Sequence, residues 1–373
     1  MIGERKMNSN EEKISALQLG LLIIVTVIGV GILTLPRTVT EIADTDGWLL
    51  IIIGGALVIV LALIINSLGN MFPDKTIIEY SQELVGRPLS YLIGSILIIY
   101  FTLIAAYSVR IFGEVLKMYL LPKTPIEIII ITFLITIIYL VRNNLEGIAR
   151  FYEIIILIMF VPYFLALSAG TWELDYSNLL PVFQLSPKVI LGGVLQVVFS
   201  FSGFEVLYLF IPFVSDKQNI KKTLIIVISI ITIIYLITSL IVLASFGSRQ
   251  TKALLWPLMA YIKSIEVPGA FIEQLEGIIM TIWVLFIFTT ISTLYFSSTF
   301  MASRLIKVRE HKIFSTFLLP LVYIIALQPE NVPDLYWRLD ILSIYVGTIV
   351  IVIIPIILLI LAKVLKKGVK TNV

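Results

Sequence analysis

Thr26-Val27-Ile28-Gly29-Val30-Gly31-Ile32, closing on Leu35-Pro36, and Ser200-Phe201-Ser202-Gly203-Phe204-Glu205, closing on Pro212, are the stretches on which the fold turns. Each interrupts an apolar run that otherwise reads as an ordinary membrane helix. In hydrocarbon an unpaired backbone group is so costly that irregular chain survives only inside protein or beside a water-filled cavity. The two stretches therefore predict helices broken near the middle of a bilayer, with freed main-chain groups facing a shared hydrated hollow. The glycines also fit a second reading, as positions where a neighbouring helix packs closely.

The surrounding composition sets the solvent. Of 373 residues, 59% are apolar and 14% charged, with a mean hydropathy of +1.05. A soluble domain carries about 25% charge and cannot hide this much apolar surface, so lipid is the natural medium. Ten apolar stretches approach the length of a spanning helix: Leu17–Pro36, Trp48–Asn70, Leu89–Leu116, Ile126–Val141, Phe151–Gly170, Val189–Val214, Leu224–Phe246, Ala270–Ala302, Ile313–Leu327 and Ile341–Leu365. The ninth is short and carries Pro320. With a cytoplasmic amino terminus, lysine and arginine gather on the inner side by roughly two to one, Lys217, Lys221, Lys222, Arg304 and Lys307 among them.

The interruptions fall in spans one and six, so the chain divides into repeats of about residues 14–170 and 188–365. Five spans is an odd number, and the second half must then insert upside down, as in many secondary transporters. The expected fold class is an all-α integral membrane protein of ten transmembrane helices, a 5+5 inverted repeat with helices one and six broken. Residues 14–365 form one domain between cytoplasmic tails 1–13 and 366–373. Two connections hold structure of their own. Thr76-Ile77-Ile78-Glu79 has capping-box spacing for a short inner helix, and Ala253–Ile262 reads as an interfacial segment or a cover over a cavity mouth.

Several chemistries are excluded or disfavoured. Cysteine is absent and His311, the one histidine, reads as a solvated loop residue, which argues against thiolate or histidine centres. No basic, aromatic-interleaved stretch suits nucleic acid. No cofactor or metal is implied, and an enzyme would need converging acid, base or ligand groups that the central spans lack.

Candidate site residues follow from the breaks. Backbone amides at Val30, Gly31, Ser202 and Gly203, flanked by Gly29 and Phe201, are placed to meet a ligand carboxylate. Glu205 stands mid-span with no basic residue within two turns, where a charge costs about 2.5–3.5 kcal/mol. It either borders the solute site, engaging an ammonium group or a proton, or bonds amides freed by the break. Tyr100, Thr102 and Tyr107 of span three are candidates for the cavity wall or for simple packing. Arg110 and Glu114, four apart, form a helix-face pair or edge an outer vestibule. The hydroxyls of span eight either bond their own helix or, as Ser292 and Thr293 with Thr26, offer oxygens to a hard cation.

Further stretches complete a recognisable order: Gly29-Val30-Gly31-Ile32-Leu33-Thr34-Leu35-Pro36-Arg37, Thr45-Asp46-Gly47-Trp48, Ile78-Glu79-Tyr80-Ser81-Gln82, Glu146-Gly147-Ile148-Ala149-Arg150, Asn178-Leu179-Leu180-Pro181-Val182 and Phe201-Ser202-Gly203-Phe204-Glu205. On these the chain resembles the spore germination permease family, the B subunits of endospore germinant receptors. That family is a branch of the amino acid–polyamine–organocation transporter superfamily. The resemblance implies a leucine-transporter-like fold and a site between spans one and six for a small nutrient, commonly an amino acid. It also implies assembly with A and C subunits in the inner membrane of the spore. A stand-alone amino-acid symporter or exchanger, coupled to protons or sodium, is the alternative reading.

Overall fold

Helices form where the apolar runs predict them. The computed structural model describes residues 13–265, 275–308 and 311–368, and within these the regular structure is helical apart from one isolated bridge between Ile14 and Val214. In chain order the helices are α1 Ala16–Ala43, α2 Gly47–Met71, α3 Ile77–Val85, α4 Arg87–Tyr119, α5 Ile126–Val141, α6 Leu145–Ala169 and α7 Pro187–Ser200. There follow α8 Leu207–Phe210, α9 Ile220–Ala253, α10 Pro257–Ser264, α11 Leu275–Ile306, α12 His311–Leu327, α13 Val332–Ile341 and α14 Ile354–Val364. Most of the amino-terminal tail, the start of the expected eighth span, Arg309, Glu310 and the end of the carboxy-terminal tail lie outside the described residues.

Six helical stretches are long and apolar enough to cross a membrane, seven when α7 and Phe204–Phe213 count as one bent span. One of the six, residues 16–71, holds two helices. A straight helix of that length would reach about 84 Å, yet α1 and α2 both pack on α9 and α7. The chain doubles back at Asp44–Asp46, where Asp44 takes φ 52°. Two further apolar helices, α5 with 16 residues and α12 with 17, are shorter, about 24–26 Å at the helical rise.

Local signals explain the ends. Thr76 and Glu79 form the capping box, the Glu79 carboxylate accepting from the Thr76 amide at 2.8 Å, and Gly86 at φ 82° stops α3. Gly247, one residue past the expected end of span seven, bends α9 at φ 67°. There the Asn178 amide donates to the Ala244 carbonyl at 2.9 Å, which gives the Asn178–Val182 stretch a structural task. The final span runs from Val332 to Val364 and widens into π turns over residues 342–347 and 349–353.

Three expectations need correction. Span one is not broken: Gly29, Val30, Gly31 and Pro36 all lie inside the uninterrupted α1. The close-packing reading of its glycines explains why. A Cβ on Gly29 would lie 2.0 Å from Thr290 Oγ1, and one on Gly31 would lie 2.4 Å from the Ser200 carbonyl. Second, no hydrated hollow separates α1 from span six at these glycines, because neighbouring atoms fill that space. Third, His311 is no solvated loop residue. It opens α12, its Nε2 3.1 Å from the Val141 carbonyl and its ring 5.0 Å from that of Phe296.

The segment after Gly247 packs inward as α10 on α1, α9 and α11. It bounds an apolar gap of about 20 Å³ lined by Ile28, Ile32, Leu258, Trp283 and Phe286. The best-enclosed span is α11, with 78% of its apolar window buried against 33–56% in the others. Its hydroxyls therefore face protein rather than lipid.

Candidate functional site

Span six breaks where the sequence places glycine beside serine. The end of α7 tightens, the Phe201 and Ser202 amides bonding back to Val198 and Phe199 at 3.0 Å each. Gly203 then takes φ 119°, and the chain resumes as a short turn Phe204–Val206 leading into α8, bent by 62° from α7. Only glycine adopts such a φ without strain. The adjoining space is closed as well, since a Cβ on Gly203 would lie 2.9 Å from Thr26 Cγ2.

Glu205 closes the break from below. Its carboxyl is fully buried. It accepts from Tyr100 at 2.9 Å, from Ser202 at 3.0 Å and from the Gly203 amide at 2.7 Å. Hydrogen bonds to a charged acceptor contribute about 1.5–3 kcal/mol each. Three donors are therefore enough to offset the insertion cost of a mid-span carboxylate, about 2.5–3.5 kcal/mol, without a cation. The Tyr100 and Ser202 hydroxyl oxygens lie 2.9 Å apart, so the two hydroxyls and the carboxyl form a compact triangle between α4 and span six.

The facing stretch of α1 stays helical and collects lateral donors. Thr290 donates to the Val25 carbonyl at 2.9 Å, the Tyr235 hydroxyl lies 2.9 Å from that of Val27, and Trp283 donates to that of Gly29 at 3.2 Å. A carbonyl has two lone pairs, so each of these accepts a side chain beside its helical bond. Tyr235 also reaches the Ser200 carbonyl, at 3.0 Å, so one hydroxyl ties α1 to the end of α7. Phe201 packs edge-on against the same tyrosine, with centroids 5.0 Å apart.

The sequence-derived candidates thus separate. Glu205, Ser202, Gly203, Phe201 and Tyr100 meet at the break, and Gly31 and Thr26 abut it from α1. The four amides expected to meet a carboxylate are already engaged: Val30 and Gly31 lie within continuous helix, Ser202 bonds Phe199 and Gly203 bonds Glu205. Thr102 instead pairs with Ser298 at 2.6 Å, bracing α4 on α11, and Tyr107 is buried about two turns beyond Tyr100 on α4. Of the cation candidates, Thr26 donates to Leu22 at 2.6 Å and Thr293 to Thr289 at 2.9 Å. Ser292 Oγ is buried and has no partner among the described residues. Arg110 and Glu114 do pair, at 2.8 Å, and Arg110 also donates to the Ala326 carbonyl. Tyr235, Trp283 and Thr290 were not singled out by sequence, because an aromatic or hydroxyl residue in an apolar helix carries no mark of the carbonyl it will meet.

At the end of α1 the Thr45–Trp48 and Asn178–Val182 stretches come together. Thr45 donates to the Pro181 carbonyl, and Asp46 accepts the Phe183 amide at 2.7 Å. They border a crevice of about 280 Å³ with Glu41, Gln184 and Lys252 on its walls.

A break stabilised by a buried carboxyl, among apolar helices of membrane-crossing length, defines a permease-like integral membrane protein. The structure of MhsT in complex with L-phenylalanine has the same architecture, with a TM-score of 0.71 over 95% of this chain and 90% of that chain at 14% identity. The fold is that of the leucine transporter class. Residues 13–335 match the family described as spore germination protein. Spore germination protein YndE of Bacillus subtilis (strain 168) is 31% identical over 368 residues, 98% of this chain and 100% of that protein. Spore germination protein B2 of the same organism is 30% identical over 74% of this chain and 75% of its own length. GerLB of Bacillus cereus is 24% identical over 87% and 88%. This chain belongs to the spore germination protein family, whose members are permease-like membrane proteins and not enzymes.

Proposed function

We propose that the chain is the membrane-embedded nutrient-sensing subunit of a germinant receptor. It binds a small germinant, an amino acid by preference, between α1 and the break in span six. The observation that carries this reading is the bent span itself: Gly203 at φ 119°, a fully buried Glu205 with only neutral donors, and Gly31 and Thr26 of α1 pressed against it. A ligand ammonium group would add the cation that Glu205 lacks. The interface must part to admit it, and a ligand drives that opening only by binding the open form more tightly than the closed one.

The fuller architecture is part of the proposal. Counting α1 and α2 separately, the bent span once, and α5 and α12 as full crossings gives ten spans with both termini cytoplasmic. The repeats are then about 14–170 and 188–365 within a single domain, and partner A and C subunits complete the receptor in the inner membrane of the spore. A symporter that turns over alone is favoured by one observation, the Ser292 hydroxyl, unpartnered among the described residues, beside Thr293 on α11, a helix that packs on α1. Binding and uptake separate the two readings. Amino acids and sugars are screened against the detergent-purified chain, then against Gly31→Ala and Glu205→Gln. Saturable binding weakened by both substitutions, without uptake into liposomes, supports the receptor subunit. Concentrative uptake by the chain alone supports the symporter, and binding indifferent to both substitutions removes the site.

A further inference from the structure

The crevice of about 280 Å³ at the end of α1 lies at the far end of α7 from the break. Its walls are the α1–α2 turn, the chain from Pro181 into the start of α7, and Lys252 near the end of α9. Since α7 holds 14 residues, crevice and break are about 21 Å apart along that helix. Pockets that enclose drug-sized molecules start at about 300 Å³. This one suits a smaller solute.

Three carboxyls border the crevice, and they are not in the same state. Asp46 is engaged in structure through both oxygens, one accepting the Phe183 amide and the other those of Gln184 and Leu185. Asp44 is engaged through Oδ1 alone, by the Ser248 hydroxyl and by Lys252 at 3.1 Å. Glu41 is engaged through Oε1 alone, by Arg37 at 2.8 Å. Among the described residues Asp44 Oδ2 and Glu41 Oε2 accept no hydrogen bond, and the two side chains are 62% and 45% exposed. An ammonium group has three donors, of which Lys252 gives one to Asp44.

A solute of one charge is poorly matched to these walls. A bare cation is repelled by Lys252 and a bare anion by Asp44 and Glu41, since like charges at close quarters repel. Among the described residues no group of three acidic or histidine side chains could hold a metal ion. An amino acid carries its ammonium and carboxylate on one carbon, which matches acidic and basic groups that are themselves in contact, and Leu185 and Val189 give an apolar wall for the rest. We propose that the crevice binds a small zwitterion of amino-acid size. Its ammonium group bonds the unengaged oxygens of Asp44 and Glu41, and its carboxylate bonds Lys252. This second site draws on no residue of the break, so it stands or falls apart from the germinant site proposed there.

The chain has no cysteine, so Val182→Cys, on the exposed rim beside Pro181, takes a single bimane label. Each proteinogenic amino acid is titrated into the labelled, detergent-purified chain while its fluorescence is followed. At least one should change the signal saturably. Its amide and its N-acetyl derivative, each lacking one charge, should bind several-fold more weakly. Lys252→Gln, and Asp44→Asn combined with Glu41→Gln, should each weaken that amino acid several-fold, while Lys252→Arg retains most of the binding and Glu205→Gln leaves it unchanged. No saturable change with any amino acid overturns the proposal. So does an amide or N-acetyl form that binds as tightly as the amino acid, or a response that Lys252→Gln leaves intact. A response abolished by Glu205→Gln overturns it too, by assigning the binding to the break.

Discussion

Two glycine-bearing segments face each other at the centre of this protein, and only one of them breaks. In α1, Gly29 and Gly31 sit in continuous helix, while in span six Gly203 turns the chain through 62°. Glycine content does not account for the difference, since α1 and span six hold three each, Gly20, Gly29 and Gly31 against Gly192, Gly193 and Gly203. What differs is the partner for the freed main chain. Span six places Glu205 two residues beyond Gly203, where its carboxylate takes the Gly203 amide. α1 has no such side chain, and its carbonyls meet lateral donors that tolerate the helical bond. A glycine permits a break, and an acceptor placed for the orphaned amide is what sustains it.

Substitutions rank the two segments. Gly203→Val should have the largest effect, combining backbone strain of about 1–3 kcal/mol with overpacking against Thr26 of about 1–3 kcal/mol. Thermal unfolding in detergent should show loss of most cooperatively folding protein. Glu205→Leu comes next. It strands the Gly203 amide, at about 1–3 kcal/mol, while the Tyr100 and Ser202 hydroxyls, 2.9 Å apart, can still bond each other; Glu205→Gln should retain part of the stability. Gly31→Ala should cost about 1–3 kcal/mol by overpacking, because its Cβ meets the Ser200 backbone. Gly29→Ala should cost a similar amount, because rotation can move Thr290 Oγ1 but neither Thr290 Cβ at 2.8 Å nor the Phe286 carbonyl at 3.0 Å. An alanine at either position that left Tm unchanged would break the comparison, for it would mean that the close packing around α1 gives way freely.

The smallest effect lies at the α1–α2 turn. The Ser248 hydroxyl, with Lys252 beside it, holds the Asp44 carboxyl below the usual carboxylate range. A lowered folded-state value means that the contribution is present above the ordinary range and lost as pH falls through the lowered one. Wild type and Asp44→Asn should therefore differ slightly in Tm at neutral pH and converge under acid conditions.

Much of this was legible because hydropathy and caps are local. The α3 capping box follows from adjacent residues, as does the interruption at Gly247, expected as the end of span seven at Phe246 and found as a bend within α9. The break at Ser202-Gly203 was legible for the same reason, its stabilising carboxyl being two residues away. The state of α1 was not, because it is decided by Thr290, Tyr235 and Trp283, distant in sequence and unremarkable there. Span three illustrates the other limit. Thr102 lies on a different face of α4 from Tyr100, and Tyr107 shares that face but sits about 10.5 Å further along the helix, so only Tyr100 reaches the break.

The central claim is that the Glu205 carboxyl at the span-six break receives a nutrient against α1. Calorimetric titration of amino acids and sugars into the detergent-purified chain tests it, with wild type and Glu205→Gln compared at matched thermal stability. The account predicts at least one saturable ligand whose affinity falls tenfold or more in the variant, a loss of about 1.4 kcal/mol. A nutrient that binds both proteins equally tightly would contradict it.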